Sequence, residues 1–149
     1  MGSLVAVPAA GEVLDGFEAD ITADLVEAYA DAALDHNPIH LVAEFAATTP
    51  FGGPIAHGML VLAYVSRLLT RRFGAAWLNG GTLDARFRAP AKVGTRVRIG
   101  GVVKSVTPGG GVTVAACDLQ VTGGAGQVLV TATAVITLEP CPSGPTAGG

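Results

Sequence analysis

Asp35, His36, Asn37, Pro38, Ile39 and His40 put one carboxylate and two imidazoles within six positions, around a proline. A carboxylate and an imidazole so placed can share proton transfer near neutral pH, the acid orienting a water beside the ring. Spacing alone also fits a plainer reading. Asp-Xaa-Asn-Pro is ordinary turn chemistry, with Asp35 capping a turn and His40 a satisfied core histidine. A second segment follows, Pro54-Ile55-Ala56-His57-Gly58-Met59-Leu60, in which Gly58 opens a long apolar run. Amides at a helix N-terminus point outward unpaired and the dipole favours negative charge, so Gly58 is a candidate to hold an oxyanion. The plainer account is that glycine there permits tight packing. Ser66 is one polar residue on the same run, and its hydroxyl can instead bond back to Leu62. His57 reads as structural.

Other chemistries find less support. His36 and His40 have i, i+4 spacing, but Pro38 lies between them and no cysteine joins them, so no metal is expected. Ser66 lies in Ala-Tyr-Val-Ser-Arg-Leu, which is not a nucleophile elbow. The glycines at 109–111 and 123–126 link strands instead of leading into helices, the wrong context for a phosphate loop.

Helical spacing of Leu25, Val26, Tyr29, Ala30, Ala33 and Leu34, with Thr22 as N-cap and an Ile21–Val26 staple, predicts a first helix that ends at Asn37-Pro38. A short strand over 12–20 precedes it, and a short helix over 41–48 follows. Residues 56–73 read as the long helix, apolar on nearly every face and hence buried, with Gly74 as its stop. The period then changes to two. Leu83, Ala85 and Phe87 alternate with charged residues, Gly100-Gly101 suggests a bulge, 108–111 a hairpin turn, and 112–121 and 128–138 further strands. Helices first and antiparallel strands after give an α+β fold over residues 1–139, one long central helix wrapped by a curved sheet of about five strands. The sheet face away from that helix needs cover, which a second subunit would provide. Residues 140–149 read as a flexible Pro/Gly-rich tail.

The chain of 149 residues fits one domain. Its 50% hydrophobic and 14% charged content is apolar for a monomer, which also points to an interface between subunits. A net charge of −3 speaks against nucleic-acid or anionic-membrane partners. The N-terminus has no signal-peptide pattern, and the apolar run from Gly58 to Ser66 is too short to span a bilayer. Cys117 and Cys141 are not expected to pair, and a reducing cytoplasm is the default location.

The two motifs in combination resemble the MaoC-like family of hot-dog-fold (R)-specific enoyl-CoA hydratases and 3-hydroxyacyl-thioester dehydratases. Residues 45–52 (Phe-Ala-Ala-Thr-Thr-Pro-Phe-Gly) and 87–94 (Phe-Arg-Ala-Pro-Ala-Lys-Val-Gly) extend the likeness. The resemblance implies a single hot-dog domain that pairs with a second copy as a homodimer. It implies that Asp35 and His40 hold the water added to C3 of a trans-2-enoyl thioester. Asn37 would position the loop or the water, the Gly58 amide would bind the thioester oxygen, and Ser66 would sit near the catalytic pair. No cofactor is implied beyond the CoA or carrier-protein phosphopantetheine of the acyl substrate itself. Arg86, Arg88, Lys92 and Arg96 are candidates to meet CoA phosphates or an acidic carrier protein, although exposed strand faces carry such charges anyway. Other roles on the same fold are a non-catalytic subunit of a heteromeric dehydratase, a thioesterase, or a step in secondary metabolism. One departure stands out. The family places a small pair before the acid where this chain has Ala33-Leu34, and a φ > 0 turn there would strain Leu34.

Overall fold

Residues 5–140 are described by a computed structural model of the chain. The expected tail lies, apart from Pro140, outside the described residues. In chain order the elements are β1 (Phe17–Asp20), α1 (Ala23–Ala33), α2 (Pro38–Leu41), α3 (Ala43–Ala47), α4 (Gly58–Phe73) and α5 (Ala75–Gly80). Four strands complete the chain: β2 (Thr82–Phe87), β3 (Arg96–Gly109), β4 (Val112–Gly123) and β5 (Val128–Leu138).

The strands form one antiparallel sheet in the order β1-β3-β4-β5-β2, as expected of the α+β reading. Alternation divides each strand between two faces. Val97, Ile99, Val103, Cys117, Val121, Ala134 and Ile136 point inward and are fully buried. α4 lies against that face and buries Leu60, Val61, Val65, Leu68, Leu69 and Phe73. Each such side chain contributes roughly 1.5–3 kcal/mol on burial. The arginines in its last turn, Arg71 and Arg72, add only about 0.3–1 kcal/mol each through the dipole. Burial therefore fixes where this helix sits. It is not covered on all sides, however. Met59, Ala63, Arg67 and Arg71 form an exposed stripe at four-residue spacing.

Local signals set most boundaries. The Thr22 hydroxyl accepts the Leu25 N–H, and Ile21 and Val26 on either side of the cap are both buried in the core. Gly110 and Gly111, at φ 61° and 79°, form the two-residue turn between β3 and β4, because such a turn needs positive φ at both positions. Several expectations are corrected. The first strand begins only at Phe17, since Val13 makes just an isolated bridge to Val102. Its lead-in is held instead by Arg72, which donates to both oxygens of Glu12 at 2.6 and 3.2 Å and to the Ala6 carbonyl. The helix expected over 41–48 is α3 alone, shortened to Ala43–Ala47, because Val42 adopts an extended conformation and Leu41 ends α2. The bulge falls between Val103 and Ser105; at Gly101 the need is close approach, as a Cβ would come within 2.9 Å of the Asp118 carbonyl. The outer face of the sheet carries Arg86, Arg98, Asp118, Gln120, Thr131 and Thr133, a polar surface that needs no apolar cover. No helix among the described residues is long and apolar enough to cross a membrane.

Cys117 lies on the inner face of β4, fully buried, where desolvation pushes its thiol up to about 11. It behaves as a small hydrophobe. In the folded protein it should resist a thiol-specific chromogenic reagent at neutral pH and react only on denaturation. Rapid labelling of native Cys117, located by peptide mass mapping, would contradict this packing.

Candidate active site

α1 stops at Ala33, four residues before its expected end at Asn37. Leu34 takes the left-handed conformation (φ 56°, ψ 35°), the sole non-glycine positive φ among the described residues. Its N–H and that of Asp35 both donate to the Ala30 carbonyl, the latter at 3.0 Å, closing the helix as a Schellman-type turn. The strain anticipated at Leu34 is thus present, of order 1–2 kcal/mol. Its side chain is 84% exposed, so packing offsets little of it. The turn throws the chain out of the helix direction and presents Asp35 at the start of α2.

Asn37 caps α2, its side-chain oxygen accepting the Ile39 N–H at 3.1 Å, and Pro38 occupies the first turn, where its missing N–H costs nothing. Pro38 therefore begins a helix instead of ending one. The Asn37 N–H in turn reaches the Asp35 carboxylate at 3.3 Å. His40 follows one turn into α2. Its Nδ1 lies 2.7 Å from the Ile55 carbonyl. A carbonyl can only accept, so Nδ1 carries the proton and Nε2 of the neutral ring keeps its lone pair. His36 turns away from this group to Asp31 on α1, at 2.8 Å and in solvent.

The residue that spacing failed to bring into the site is His57. It is the one buried polar side chain among the described residues, 3% exposed, at the N-cap of α4. Its Nε2 lies 2.9 Å from the Asp35 carbonyl and so carries the proton, while Nδ1 is buried with no protein partner. The ring stacks on His40, centroids 3.8 Å apart and 28° between planes, and Tyr29 packs 4.9 Å away. The Asp35 carboxylate and the ring nitrogens of His40 and His57 offer atoms that all lie within 4.8 Å of one another. Three such ligands could in principle hold a metal. Each imidazole donates its N–H to a backbone carbonyl, which fixes the orientation of both rings and leaves the other nitrogen of each as an acceptor.

Gly58 begins α4, and among the described residues its N–H meets no protein acceptor. A Cβ there would lie 3.0 Å from the Phe87 ring, which is the tight packing that glycine permits. Gly58 lines an apolar cavity of about 330 Å³ bounded by Phe51, Ile55, Val61, Phe87 and Leu129. Ile55, whose carbonyl holds His40, connects this cavity to the carboxylate–imidazole group. Ser66 is two turns further along α4 and accepts the Trp77 indole N–H at 2.9 Å, which accounts for a hydroxyl on that helix. A larger hollow of about 780 Å³ lies on the outer face of the sheet and touches neither Asp35, His40 nor His57.

The family model of the MaoC like domain matches residues 6–125. The chain belongs to the MaoC-like dehydratases. The 3-hydroxyacyl-thioester dehydratase Z of Mycobacterium tuberculosis is 43% identical to it over 82 residues, 52% of this chain and 54% of that protein. The 3-hydroxybutyryl-CoA dehydratase of Methylorubrum extorquens is 38% identical over 92 residues, 60% of this chain and 57% of that one. This MaoC-like chain is thus aligned with about half the length of these curated relatives. The solved structure of the (R)-hydratase from A. caviae involved in PHA biosynthesis superposes with a TM-score of 0.76 at 27% identity, covering 89% of this chain and 98% of that one. The fold is the hot-dog fold that the sequence resemblance implied.

Leu34→Gly should raise the stability of this MaoC-like domain by roughly 1 kcal/mol, since glycine relieves the left-handed strain and little packing is lost. Chemical denaturation reads this directly. A variant less stable than the parent would show that the exposed leucine makes contacts that outweigh its backbone cost.

Proposed function

We propose that this protein adds water reversibly to trans-2-enoyl thioesters, giving (R)-3-hydroxyacyl thioesters, and removes it in the reverse direction. The observation that carries this reading is the meeting of the Asp35 carboxylate and a His40 ring with a free Nε2, beside a helix end whose Gly58 amide is unpaired. Water sits between the carboxylate and Nε2. As one of them takes its proton, the oxygen bonds to C3 and the C2–C3 π electrons move toward the thioester carbonyl. The developing enolate oxygen accepts the Gly58 N–H, where the helix dipole and a dry cavity strengthen the bond. The pair then returns the proton to C2, and the thioester is restored with the hydroxyl on C3. Asn37 positions the loop through its cap on α2, and His57 positions both partners by holding the Asp35 carbonyl and lying flat on His40. Ser66 acts at one remove, through its bond to Trp77 on the wall of α4. The mechanism needs no cofactor; CoA or phosphopantetheine enters as part of the substrate. The names of the relatives support this chemistry, and the intact acid–imidazole pair speaks against a silent partner subunit.

Asp35→Asn and His40→Ala should each lower hydration of crotonyl-CoA by roughly 10²–10⁴-fold, followed through loss of the enoyl-thioester absorbance. Circular dichroism should report an unchanged fold. Turnover near the parent value in both variants would remove the mechanism, and release of free thiol without 3-hydroxy product would point to a thioesterase.

A homodimer is the assembly that fits. Met59 and Phe87, which flank Gly58, are 62% and 54% exposed, and β2 leaves one edge of the sheet unpaired. Pairing there would cover Met59 and Phe87 beside Gly58. Light scattering should give twice the mass of the chain; a monodisperse, fully active monomer would exclude it.

A further inference from the structure

The outer hollow and the inner cavity meet at one residue. Among the described residues Arg88 alone lines both. It lies just past the end of β2, with its backbone N–H on the Leu129 carbonyl beside the cavity. Its guanidinium folds to the outer face, where Nε approaches the Thr131 hydroxyl at 3.4 Å. A ligand whose reactive end sits at Gly58 can thus leave past the end of β2 and continue over the outer face.

What it would meet there is a polar floor left open above Gly100 and a cationic rim. Gly100 and Gly101 line the hollow, and the space above Gly100 is open. The register sets Gly100 opposite Gln120, Gln120 opposite Thr131, and Thr131 opposite Arg86. Arg98 stands opposite Thr122 on the far side, three strand spacings from β2, on the order of 14 Å. Arg86 and Arg88 have no carboxylate partner among the described residues, and Arg98 has only a long contact of 3.8 Å to Glu18. Arg96, by contrast, is taken by Asp20 at 2.8 Å and turns to the β1 edge. The acids of the hollow, Asp84 and Asp118, lie one row further from Arg98, and Asp118 faces Lys104. The volume of about 780 Å³ is within the range of roughly 300–1,000 Å³ for small-molecule sites, and the concave shape does not suit a protein surface.

We propose that this hollow is the site for the nucleotide of a CoA thioester, with Arg86 and Arg88 on the 5′-diphosphate and Arg98 on the 3′-phosphate. Guanidinium forks match phosphate oxygens, and two cationic groups set apart across the open space over Gly100 match the two separated phosphate positions of CoA. This assignment rests on the thioester reading of the inner site and narrows it to CoA thioesters over carrier-protein thioesters.

The test compares crotonyl-CoA, crotonyl-3′-dephospho-CoA, crotonyl-pantetheine and a crotonyl-carrier protein with the parent and with Arg86→Ala, Arg98→Ala and the double variant. The double variant should cut the preference for crotonyl-CoA over crotonyl-pantetheine, as a ratio of kcat/KM, by about tenfold or more. Arg98→Ala alone should erase the difference between CoA and dephospho-CoA substrates. An unchanged CoA-to-pantetheine ratio would overturn the proposal. So would a carrier-protein substrate that outperforms crotonyl-CoA and loses rate in the same variants, which would assign the rim to an acidic protein. If no enoyl thioester is hydrated, the proposed reaction fails, and calorimetric titration with free CoA still decides this site. Binding by the parent that is lost in the double variant supports it, and absence of binding by the parent rejects it.

Discussion

One hydrogen bond, from the His57 imidazole to the Asp35 carbonyl, ties the start of the central helix to the loop that carries the acid. Everything at the site depends on that tie. α4 is fixed by six large side chains buried against the sheet, so the N-cap at His57 is effectively part of the core. The bond extends that rigidity to Asp35, and the stack of His57 on His40 extends it to the second partner. Ile55, immediately before this cap, fixes the other nitrogen of His40. An exposed loop thereby gains the precision of a helix end, which is what a reaction needing a water, a carboxylate, an imidazole and an oxyanion donor in register demands.

The same tie explains how a leucine survives in a left-handed turn. Two N–H groups on one Ala30 carbonyl fix the end of α1, and His57 fixes the residue after it. The backbone between has little choice. The strain at Leu34 sits one residue from the proposed catalytic acid, where surrounding bonds over-determine the conformation.

Sequence patterns exposed much of this and hid the rest for definable reasons. Long periodic segments were readable: α4 and β2 to β5 announce themselves by helical and alternating spacing, and Thr22 and Gly74 by cap chemistry. α2 and α5 were not, because four and six residues hold too few turns to show a period, and α3 was readable only with bounds too wide by a few residues. Asp35, His40 and Gly58 stood out by residue type and by the motifs they share with a family. The part of His57 did not, since a bond between residues 22 apart leaves no local trace, and a histidine inside an apolar stretch reads as core. Both descriptions of His57 are true at once: it is buried, and it is what orients the loop. Gly100-Gly101 signalled something real but of the wrong kind, an open floor and a close approach instead of a bulge.

The contact between Ser66 and Trp77 has a practical side. The chain holds a single tryptophan, and its indole is pinned at both ends, by the Ser66 hydroxyl on one side and by Gly81 on the other, where even a Cβ would collide with the ring. That ring lies where α4 meets α5, beside the wall of the core. The molecule therefore carries its own optical reporter. The emission of one indole, excited at wavelengths the two tyrosines do not absorb, follows the seating of the central helix, and anything that shifts that helix changes the polarity around the indole.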